Sequence, residues 1–287
     1  MIIAIYGLGL IGGSIGRATI LKTKHKVYGC DVDKSAVLKA KMLNAISGEL
    51  NDEKLSQADL VVFAVNPRTA IKLLPEVCSK LKKGATVIDC CGNKRNVVKA
   101  MDEMHAIYKD IGFIATHPMA GREFSGVEHS TAKLFEKSFV IVTPVHSGIE
   151  DFQKVKAFYT ELGVDGVTMA TADEHDEMIS YTSQLAHVLS SSYVKNKLSA
   201  KHAGYSAGSF RDLTRVARLN PQMWSELFID NGDKLCPQIE TLINNLKEYK
   251  EAIEAKDSGR LTELLQEGVD AKAVADKAIK DKRKETD

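Results

Sequence analysis

His117 is the residue of this chain whose type and position best suit proton transfer. It follows an apolar run that predicts a strand, and Pro118 directly after it bars a helix. An imidazole titrates near neutral pH, so a histidine in such a loop could act as a general base. The same position would also suit a histidine that only ends a strand, and position alone does not separate these two interpretations.

A second group of polar residues recurs along a long helix that the sequence predicts over residues 172–201. The members are spaced by three or four residues and therefore share one face: Asp176, Ser180, Gln184, His187 and Ser191. This face has no Lys, Arg or Glu, which a solvated face would usually carry, so we expect it to face a ligand. His175 lies one residue before the first member.

Three arginines form a third candidate site. Arg211, Arg215 and Arg218 share one face of a short helix predicted at about Gly208–Arg218. The guanidinium fork matches a carboxylate with two parallel hydrogen bonds. For Arg211 and Arg218 a basic surface is the simpler interpretation. The single tryptophan, Trp224, could form the wall of a pocket or belong to the core.

The elements that must position these side chains begin at the N-terminus. An apolar strand, Ile2–Tyr6, leads into the pattern G-x-G-x-x-G at residues 7–12 and then into an apolar helix that extends to about residue 21. This is the dinucleotide-binding fingerprint in its usual context, where a helix start binds the pyrophosphate. The sequence therefore predicts cofactor contacts from Gly7, Leu8, Gly9, Leu10, Ile11 and Gly12, and from Val65 at the end of a neighbouring strand.

Asp31 ends a second predicted strand, 19 residues after Gly12. A carboxylate at this place accepts hydrogen bonds from the ribose hydroxyls and repels a 2′-phosphate, so we expect NAD rather than NADP. An ordinary glycine turn followed by a solvated aspartate is the alternative interpretation. It does not account for the strand, the turn, the helix and the acid occurring together.

Short apolar runs alternate with helical stretches up to about residue 170, and strand signals then stop. This pattern predicts an α/β fold, with an N-terminal Rossmann-type doubly wound sheet followed by an all-α C-terminal dimerisation domain. Ligands of such sheets gather outside the carboxyl ends of the strands. We expect an NAD-binding Rossmann domain over residues 1–170 and a helical substrate and dimerisation domain over residues 171–287.

Composition argues against several other classes of protein. Lys plus Arg is 39 and Asp plus Glu is 38, so the net charge of +1 gives no general attraction to nucleic acid or to a membrane surface. Five cysteines without metal-ligand spacing predict no metal site and a reducing, cytoplasmic location. Residues 2–21 are apolar enough to suggest a membrane anchor, but their glycines and Arg17 fit a strand, turn and helix better.

Together these motifs resemble those of the prephenate/arogenate dehydrogenase family. The resemblance covers nearly the whole chain, and beyond the glycine loop it is carried by His117–Gly121 with Glu123, by His175–Asp176, by Ser183–His187 and by Phe210–Trp224. It implies NAD-dependent oxidative decarboxylation of a cyclohexadienyl acid, as in tyrosine biosynthesis. Both prephenate and arogenate remain open as the substrate.

The resemblance also implies roles for single residues. His117 would be the catalytic base and Arg215 would bind a substrate carboxylate. The other expected substrate-site residues are His187, His175, Gln184, Glu123, Trp224 and Asn93, with Glu123 at the entrance. The family forms a homodimer through its helical domain, which suits the apolar residues at helical spacing after residue 234.

Two positions depart from the family pattern. Gly92 stands where family members carry a serine that supports the catalytic histidine, so Asn93 is a candidate for that hydrogen bond. Gln184 stands where the family has a histidine. Two other functions remain open: a β-hydroxyacid-type dehydrogenase, which would use a lysine of the helical domain, and a non-catalytic NAD-binding paralogue.

Overall fold

The computed structural model describes residues 1–284 and shows an eight-stranded sheet with helices. The strands are β1 (Ile2–Tyr6), β2 (Lys26–Cys30), β3 (Gly48–Glu49), β4 (Leu60–Phe63), β5 (Thr86–Asp89), β6 (Gly112–Pro118), β7 (Phe139–His146) and β8 (Gly166–Met169). Their order is β3-β2-β1-β4-β5-β6-β7-β8, and only the pairing of β6 with β7 is antiparallel. The predicted doubly wound sheet is confirmed, while the two-residue β3 was not predicted because it is too short to leave a pattern.

Helices lie in most of the connections between strands and form most of the described chain after β8. They are α1 (Leu10–Lys22), α2 (Lys34–Met42), α3 (Asp52–Ser56), α4 (Pro67–Lys80), α5 (Arg95–Ile107), α6 (Ile149–Leu162), α7 (Ala172–Ile179), α8 (Ala186–Val194), α9 (Gly208–Thr214), α10 (Pro221–Asp230), α11 (Gly232–Glu254) and α12 (Ser258–Lys284). None of the helices in this described part is long and apolar enough to cross a membrane.

The core lies on both faces of the sheet, because successive side chains of a strand point to opposite faces. In β1, Ile3 and Ile5 pack on one face while Ala4 packs on the other. Every residue of β4 and β5 is buried. Burial on both sides explains why the parallel strands appear in the sequence as continuous apolar runs. It also holds the carboxyl ends of β1, β4, β5 and β6 at one edge of the sheet.

The single long helix predicted over residues 172–201 ends earlier, at Val194, and contains a π-helical turn. Helix α7 ends at Ile179, and Ser180–Leu185 form a π-helical turn before α8 begins. A separate short 3₁₀ turn covers Lys197–Lys201. A π turn widens the helix locally and changes the direction of the side chains that follow it, and such turns are common at functional sites.

The chain forms two compact units, Met1–Asn231 and a second unit that begins at Gly232. In the second unit α11 and α12 pack against each other, and the Tyr249 hydroxyl donates a hydrogen bond to the Leu264 carbonyl at 2.9 Å. The domain boundary near residue 170 stays a prediction from the sequence. The candidate site described below lies entirely within the first unit.

Candidate active site

The glycine turn between β1 and α1 has the geometry that a close phosphate approach needs. Gly7 has a φ of +91°, and a Cβ built there would lie 2.4 Å from the Ala64 carbonyl oxygen. A Cβ on Gly12 would lie 1.9 Å from the Gly7 carbonyl oxygen. A Cβ on Gly9 would meet no heavy atom within 4 Å, so the space beside this residue is open. Gly7 and Gly12 therefore serve the packing of the turn, and Gly9 leaves room for a ligand.

Asp31 directly follows β2 and is tied to the glycine turn. The backbone N–H of Leu8 donates to Asp31 Oδ2 at 2.7 Å, and that of Asp33 donates to Oδ1 at 2.9 Å. Gly7 donates its N–H to the Cys30 carbonyl at 3.0 Å, which fixes the turn against the end of β2. The carboxylate is thus held beside the phosphate-binding turn, where a ribose would lie.

The other predicted cofactor residues surround the same turn. Leu8 is fully buried in the core, whereas Leu10 and Ile11 are half-buried in the first turn of α1. A side-chain carbon of Val65 lies 2.6 Å from the Cβ position built on Gly7. The open space at Gly9, the helix start and the Asp31 carboxylate together fit a dinucleotide with free ribose hydroxyls.

A pocket of about 1160 Å³ opens at the carboxyl edge of the sheet, next to the first turn of α1. Most of the predicted substrate-site residues line it, namely His117, Glu123, Gln184, His187, Arg215 and Trp224. Ile11 and Gly92 also line it. His175 and Asn93 lie in the interior, with only 1% and 4% of their surface exposed.

His117 lies at the end of β6, half-buried, and forms a hydrogen-bonded chain with two residues of α7. Its Nδ1 is 2.8 Å from Nε2 of His175, and Nδ1 of His175 is 2.8 Å from Oδ1 of Asp176. Asp176 also accepts hydrogen bonds from the backbone N–H groups of Lys94 at 2.7 Å and Arg95 at 3.0 Å. Burial opposes ionisation of Asp176, but the hydrogen bonds from His175 and from these two N–H groups outweigh it and lower the pKa of this carboxyl.

Burial and a nearby buried charge both act on the protonation of His117. Lys94 and Asp89 are both completely buried, and the Lys94 ammonium donates a hydrogen bond to the Asp89 carboxylate. Burial holds the pKa of His117 well below its usual value, and the positive charge of Lys94 lowers it further. His117 is therefore a neutral imidazole near pH 7, the form that can accept a proton.

Asn93 and Gln184, two of the predicted substrate residues, bind each other. The Gln184 amide donates to Asn93 Oδ1 at 2.9 Å, and the Asn93 amide donates to the Leu227 carbonyl at 2.9 Å. Asn231 donates to Gln184 Oε1 at 2.9 Å. The Asn93 amide is engaged on both sides in the protein interior, so the structure does not bring it into the pocket with the other predicted residues.

Sequence reasoning missed Asp89, Lys94 and Asn231. For Asp89 a signal exists, because it ends the apolar run of β5 and lies five residues before Lys94, so that a buried ion pair was open to inference. For Asn231 there is no local signal, since its amide meets Gln184 from 47 positions away.

The pocket mouth holds an ion pair. The Arg215 guanidinium donates a hydrogen bond to Glu123, and this contact is the main reason why the pKa of Glu123 is lowered. The Arg215 side chain is 59% exposed. A guanidinium carries five N–H donors, so Arg215 can hold Glu123 and bind a second carboxylate at the same time.

His187 and Trp224 form one wall of the pocket. Their rings stack with centroids 3.8 Å apart. His187 donates its Nδ1–H to the Ser183 carbonyl at 2.9 Å, within the π-helical turn. Burial lowers the pKa of His187, and the Arg215 charge lowers it further against the effect of the Ser183 carbonyl. The neutral ring therefore has a lone pair on Nε2.

Family models match most of the chain. The model described as "Prephenate dehydrogenase, nucleotide-binding domain" matches residues 15–168, more than half of the chain, and "Prephenate dehydrogenase, dimerization domain" matches residues 171–267. A cyclohexadienyl dehydrogenase of Zymomonas mobilis is 32% identical over 94% of each chain. A prephenate dehydrogenase of Lactococcus lactis is 30% identical over 93% of this chain and 75% of the relative.

Among solved structures, a prephenate dehydrogenase from A. aeolicus in complex with hydroxyphenyl propionate and NAD+ superposes with a TM-score of 0.83. The two sequences are 28% identical, and the match covers 96% of this chain and 98% of that one. The resemblance inferred from the motifs is thereby confirmed. The chain belongs to the prephenate dehydrogenase family of NAD-dependent oxidoreductases.

Proposed function

We propose that this chain catalyses the NAD-dependent oxidative decarboxylation of prephenate to 4-hydroxyphenylpyruvate, or of arogenate to tyrosine. The observation that carries the proposal is a neutral His117 imidazole at the pocket surface, beside a turn built for a dinucleotide. The Nδ1 atom of His117 is engaged by His175. Its Nε2 atom is therefore the one available to a substrate hydroxyl.

The reaction needs a base and a hydride acceptor. Oxidation of the ring carbon that bears the hydroxyl removes one hydride and the hydroxyl proton. Bound NAD would accept the hydride. His117 accepts the proton at Nε2, the conjugated ketone loses carbon dioxide as the ring becomes aromatic, and the resulting phenolate takes the proton back from His117.

The residues at the mouth and wall of the pocket orient the substrate. Arg215 binds a substrate carboxylate through the guanidinium donors that Glu123 does not occupy. The stacked rings of His187 and Trp224 limit where the substrate ring can lie. Gln184 and Asn93 act from behind this wall by holding the loop after β5 against the π-helical turn.

The two alternative functions are less well supported by the same pocket. A β-hydroxyacid-type mechanism would rely on a lysine, and no lysine is among the described residues that line the pocket. The non-catalytic alternative was suggested by Gly92, which lacks the family's serine hydroxyl. In this chain a hydrogen bond between His117 and His175 supports the imidazole of His117 instead.

We also propose that the chain forms a homodimer through its helical part and is divided functionally near residue 170. The match of residues 171–267 to a model described as a dimerization domain supports the homodimer. Light scattering on the purified protein should give twice the chain mass of 31.5 kDa. A monomer at micromolar concentration would contradict the proposal.

The function is tested by offering prephenate and arogenate in parallel, each with NAD and with NADP, and by recording NAD(P)H absorbance and released carbon dioxide. We expect turnover of at least one acid with NAD and little with NADP, because Asp31 lies where a 2′-phosphate would be. Calorimetric NAD binding without turnover of either acid would instead favour the non-catalytic paralogue.

A further inference from the structure

We propose that Asp176 and His175 are positioning residues that fix the tautomer of His117 and so place its lone pair on Nε2, toward the pocket. The proposal rests on the proposed function of His117 as the base. Two consecutive contacts of 2.8 Å support it, one between His117 and His175 and one between His175 and Asp176. His175 and Asp176 are each 1% exposed, so bulk water does not replace these contacts.

Both carboxylate oxygens of Asp176 face hydrogen-bond donors. Oδ1 faces the Lys94 N–H at 2.7 Å and Nδ1 of His175 at 2.8 Å. Oδ2 faces the Arg95 N–H at 3.0 Å and the Arg95 Nε at 3.1 Å. Because both oxygens accept hydrogen bonds, Asp176 is ionised and carries no hydrogen of its own. The hydrogen between Oδ1 of Asp176 and Nδ1 of His175 therefore belongs to Nδ1.

The tautomer of His175 then determines that of His117. A neutral His175 with its hydrogen on Nδ1 has a lone pair on Nε2. Nδ1 of His117 lies 2.8 Å from that lone pair and donates its hydrogen to it. This leaves Nε2 of His117 without a hydrogen, ready to accept the substrate proton. The opposite tautomer would present an N–H to the substrate hydroxyl and could not act as a base.

The surrounding charges allow His117 to keep the proton that it accepts from the substrate. Lys94 is paired with Asp89, and Arg95 is paired with Asp176. When His117 becomes an imidazolium, its positive charge faces the dipole of His175 and, behind it, the Asp176 carboxylate. The proton remains on His117 until the phenolate takes it back, so no proton is transferred onward to His175 or Asp176.

The same chain of contacts accounts for Gly92. A serine near this position supports the histidine in the family pattern, whereas here Nδ1 of His117 is already occupied by His175. A Cβ on Gly92 would lie 3.5 Å from Leu227, in ordinary contact, so the missing side chain is not excluded by space. His117 is oriented by α7, through His175.

The first test is Asp176→Asn. Asparagine has one accepting oxygen and one donating NH₂ group, so it cannot accept hydrogen bonds at both former carboxylate positions. If its NH₂ group donates to Nδ1 of His175, the tautomers of both histidines reverse. We expect kcat to fall about 10²- to 10⁴-fold, as when the carboxylate of a Ser-His-Asp triad is removed, with NAD affinity unchanged. The matched control is Asp173→Asn on the exposed side of the same helix, for which we expect kcat within about twofold of wild type.

The second test compares two amides at position 175. His175→Gln places an oxygen near the former Nε2 and can still accept from His117, whereas His175→Asn reaches only to the former Nδ1. We expect kcat to be at least about tenfold higher for the glutamine variant than for the asparagine variant, with similar KM for the substrate. A purely structural role would affect both variants alike, and equal kcat values would overturn the proposal.

The third test needs no variant and no turnover. In ¹⁵N-histidine-labelled protein with NAD bound, we expect the Nε2 signal of His117 to be of the unprotonated type and its Nδ1 signal of the protonated type at pH 7. A hydrogen on Nε2 of His117 would overturn the proposal. Because this spectrum does not depend on prephenate or arogenate, a failure of the proposed function would be recognised separately, by absent turnover with the expected tautomer in place.

Discussion

His117 is the side chain on which the proposed chemistry depends most directly. Replacing it with asparagine keeps a polar group of similar reach but removes the base. We expect kcat to fall about 10²- to 10⁴-fold while the dissociation constant of NAD stays within about twofold, since the glycine turn is untouched. The control is His105→Asn, because His105 lies beside Ile111 at the opposite end of β6. Near-normal turnover of His117→Asn would remove the base assignment.

The pKa of His117 sets the pH dependence of kcat/KM. Burial and the Lys94 charge lower this pKa well below 6.5, so the base form is complete at neutral pH and is lost only as pH falls through the lowered value. We therefore expect kcat/KM to remain level between pH 7 and about 6.5 and to fall further into the acid range. A decline already centred near pH 6.5 would show a histidine with an unperturbed pKa as the base.

Arg215 should affect substrate binding more than the chemical step. Arg215→Ala removes the guanidinium at the pocket mouth, and we expect KM to rise about 10- to 100-fold with a smaller change in kcat. Arg211→Ala is the matched control, because its side chain is 80% exposed and is paired with Asp212. Steady-state kinetics of both variants decide the point, and an unchanged KM for Arg215→Ala would place the carboxylate elsewhere.

In the turn between β1 and α1, a substitution at Gly9 should weaken cofactor binding without changing the stability of the fold. Gly9→Ala adds a methyl group in open space at a backbone φ of −77°, which alanine adopts easily. We expect the free energy of unfolding to change by less than about 0.5 kcal/mol and NAD affinity to fall about tenfold or more, because the methyl group meets the pyrophosphate. Gly232→Ala, also in open space, is the control: it should change the free energy of unfolding by less than about 0.5 kcal/mol and leave NAD affinity unchanged.

Thermal unfolding and calorimetry of NAD binding measure the two effects on the same samples. Gly12→Ala gives the contrasting case, since its methyl group would meet the Gly7 carbonyl oxygen and destabilise the turn itself. If Gly9→Ala bound NAD as tightly as wild type, the dinucleotide would not cross the turn at this residue.

The sequence predicted most elements because their patterns are local. Buried parallel strands appear as apolar runs, and the glycines of the first turn report contacts a few residues away. The helix after residue 172 was predicted as continuous because a π turn has no sequence signature of its own. The polar residues of this segment accordingly differ in their surroundings, since Asp176 and Ser180 are buried whereas His187, after the turn, lines the pocket.

Within the site, residue types were easier to predict than partners. His117, Arg215 and His187 were recognised from their motifs, and all three line the pocket. The partners of Asn93 were not predictable, because they lie 91 and 134 positions away along the chain. Such contacts depend on how the π-helical turn and α10 pack against the loop after β5, which no local pattern encodes.

For the molecule as a whole, charge is nearly balanced but unevenly distributed. The net charge is +1, yet the pocket is lined by Arg122, Arg215 and Arg218 against a single acidic residue, Glu123. A cleft lined by one sign of charge raises the local potential and favours ligands of the opposite sign. Balanced total charge therefore says little about the substrate, whereas the pocket lining favours an acid with several negative charges.

This distribution predicts a preference between the two candidate acids. Prephenate has two carboxylates, whereas arogenate also has an ammonium group that the pocket arginines repel. One unit charge at about 8 Å with an effective dielectric constant of about 40 amounts to about 1 kcal/mol, so we expect kcat/KM to be about fivefold higher for prephenate. The preference should shrink at about 1 M salt, where screening acts within about 3 Å.

The same ratio measured in Arg122→Gln and Arg218→Gln tests the cause, because each change removes one pocket charge and should narrow the preference. Arg211→Gln, outside the pocket, serves as the control and should leave the ratio unchanged. Equal use of both acids, or a ratio that salt does not affect, would show that contacts with the amino or keto group outweigh the field of the arginines. In that case substrate choice would depend on the groups nearest the substrate side chain and not on the charge of the cleft.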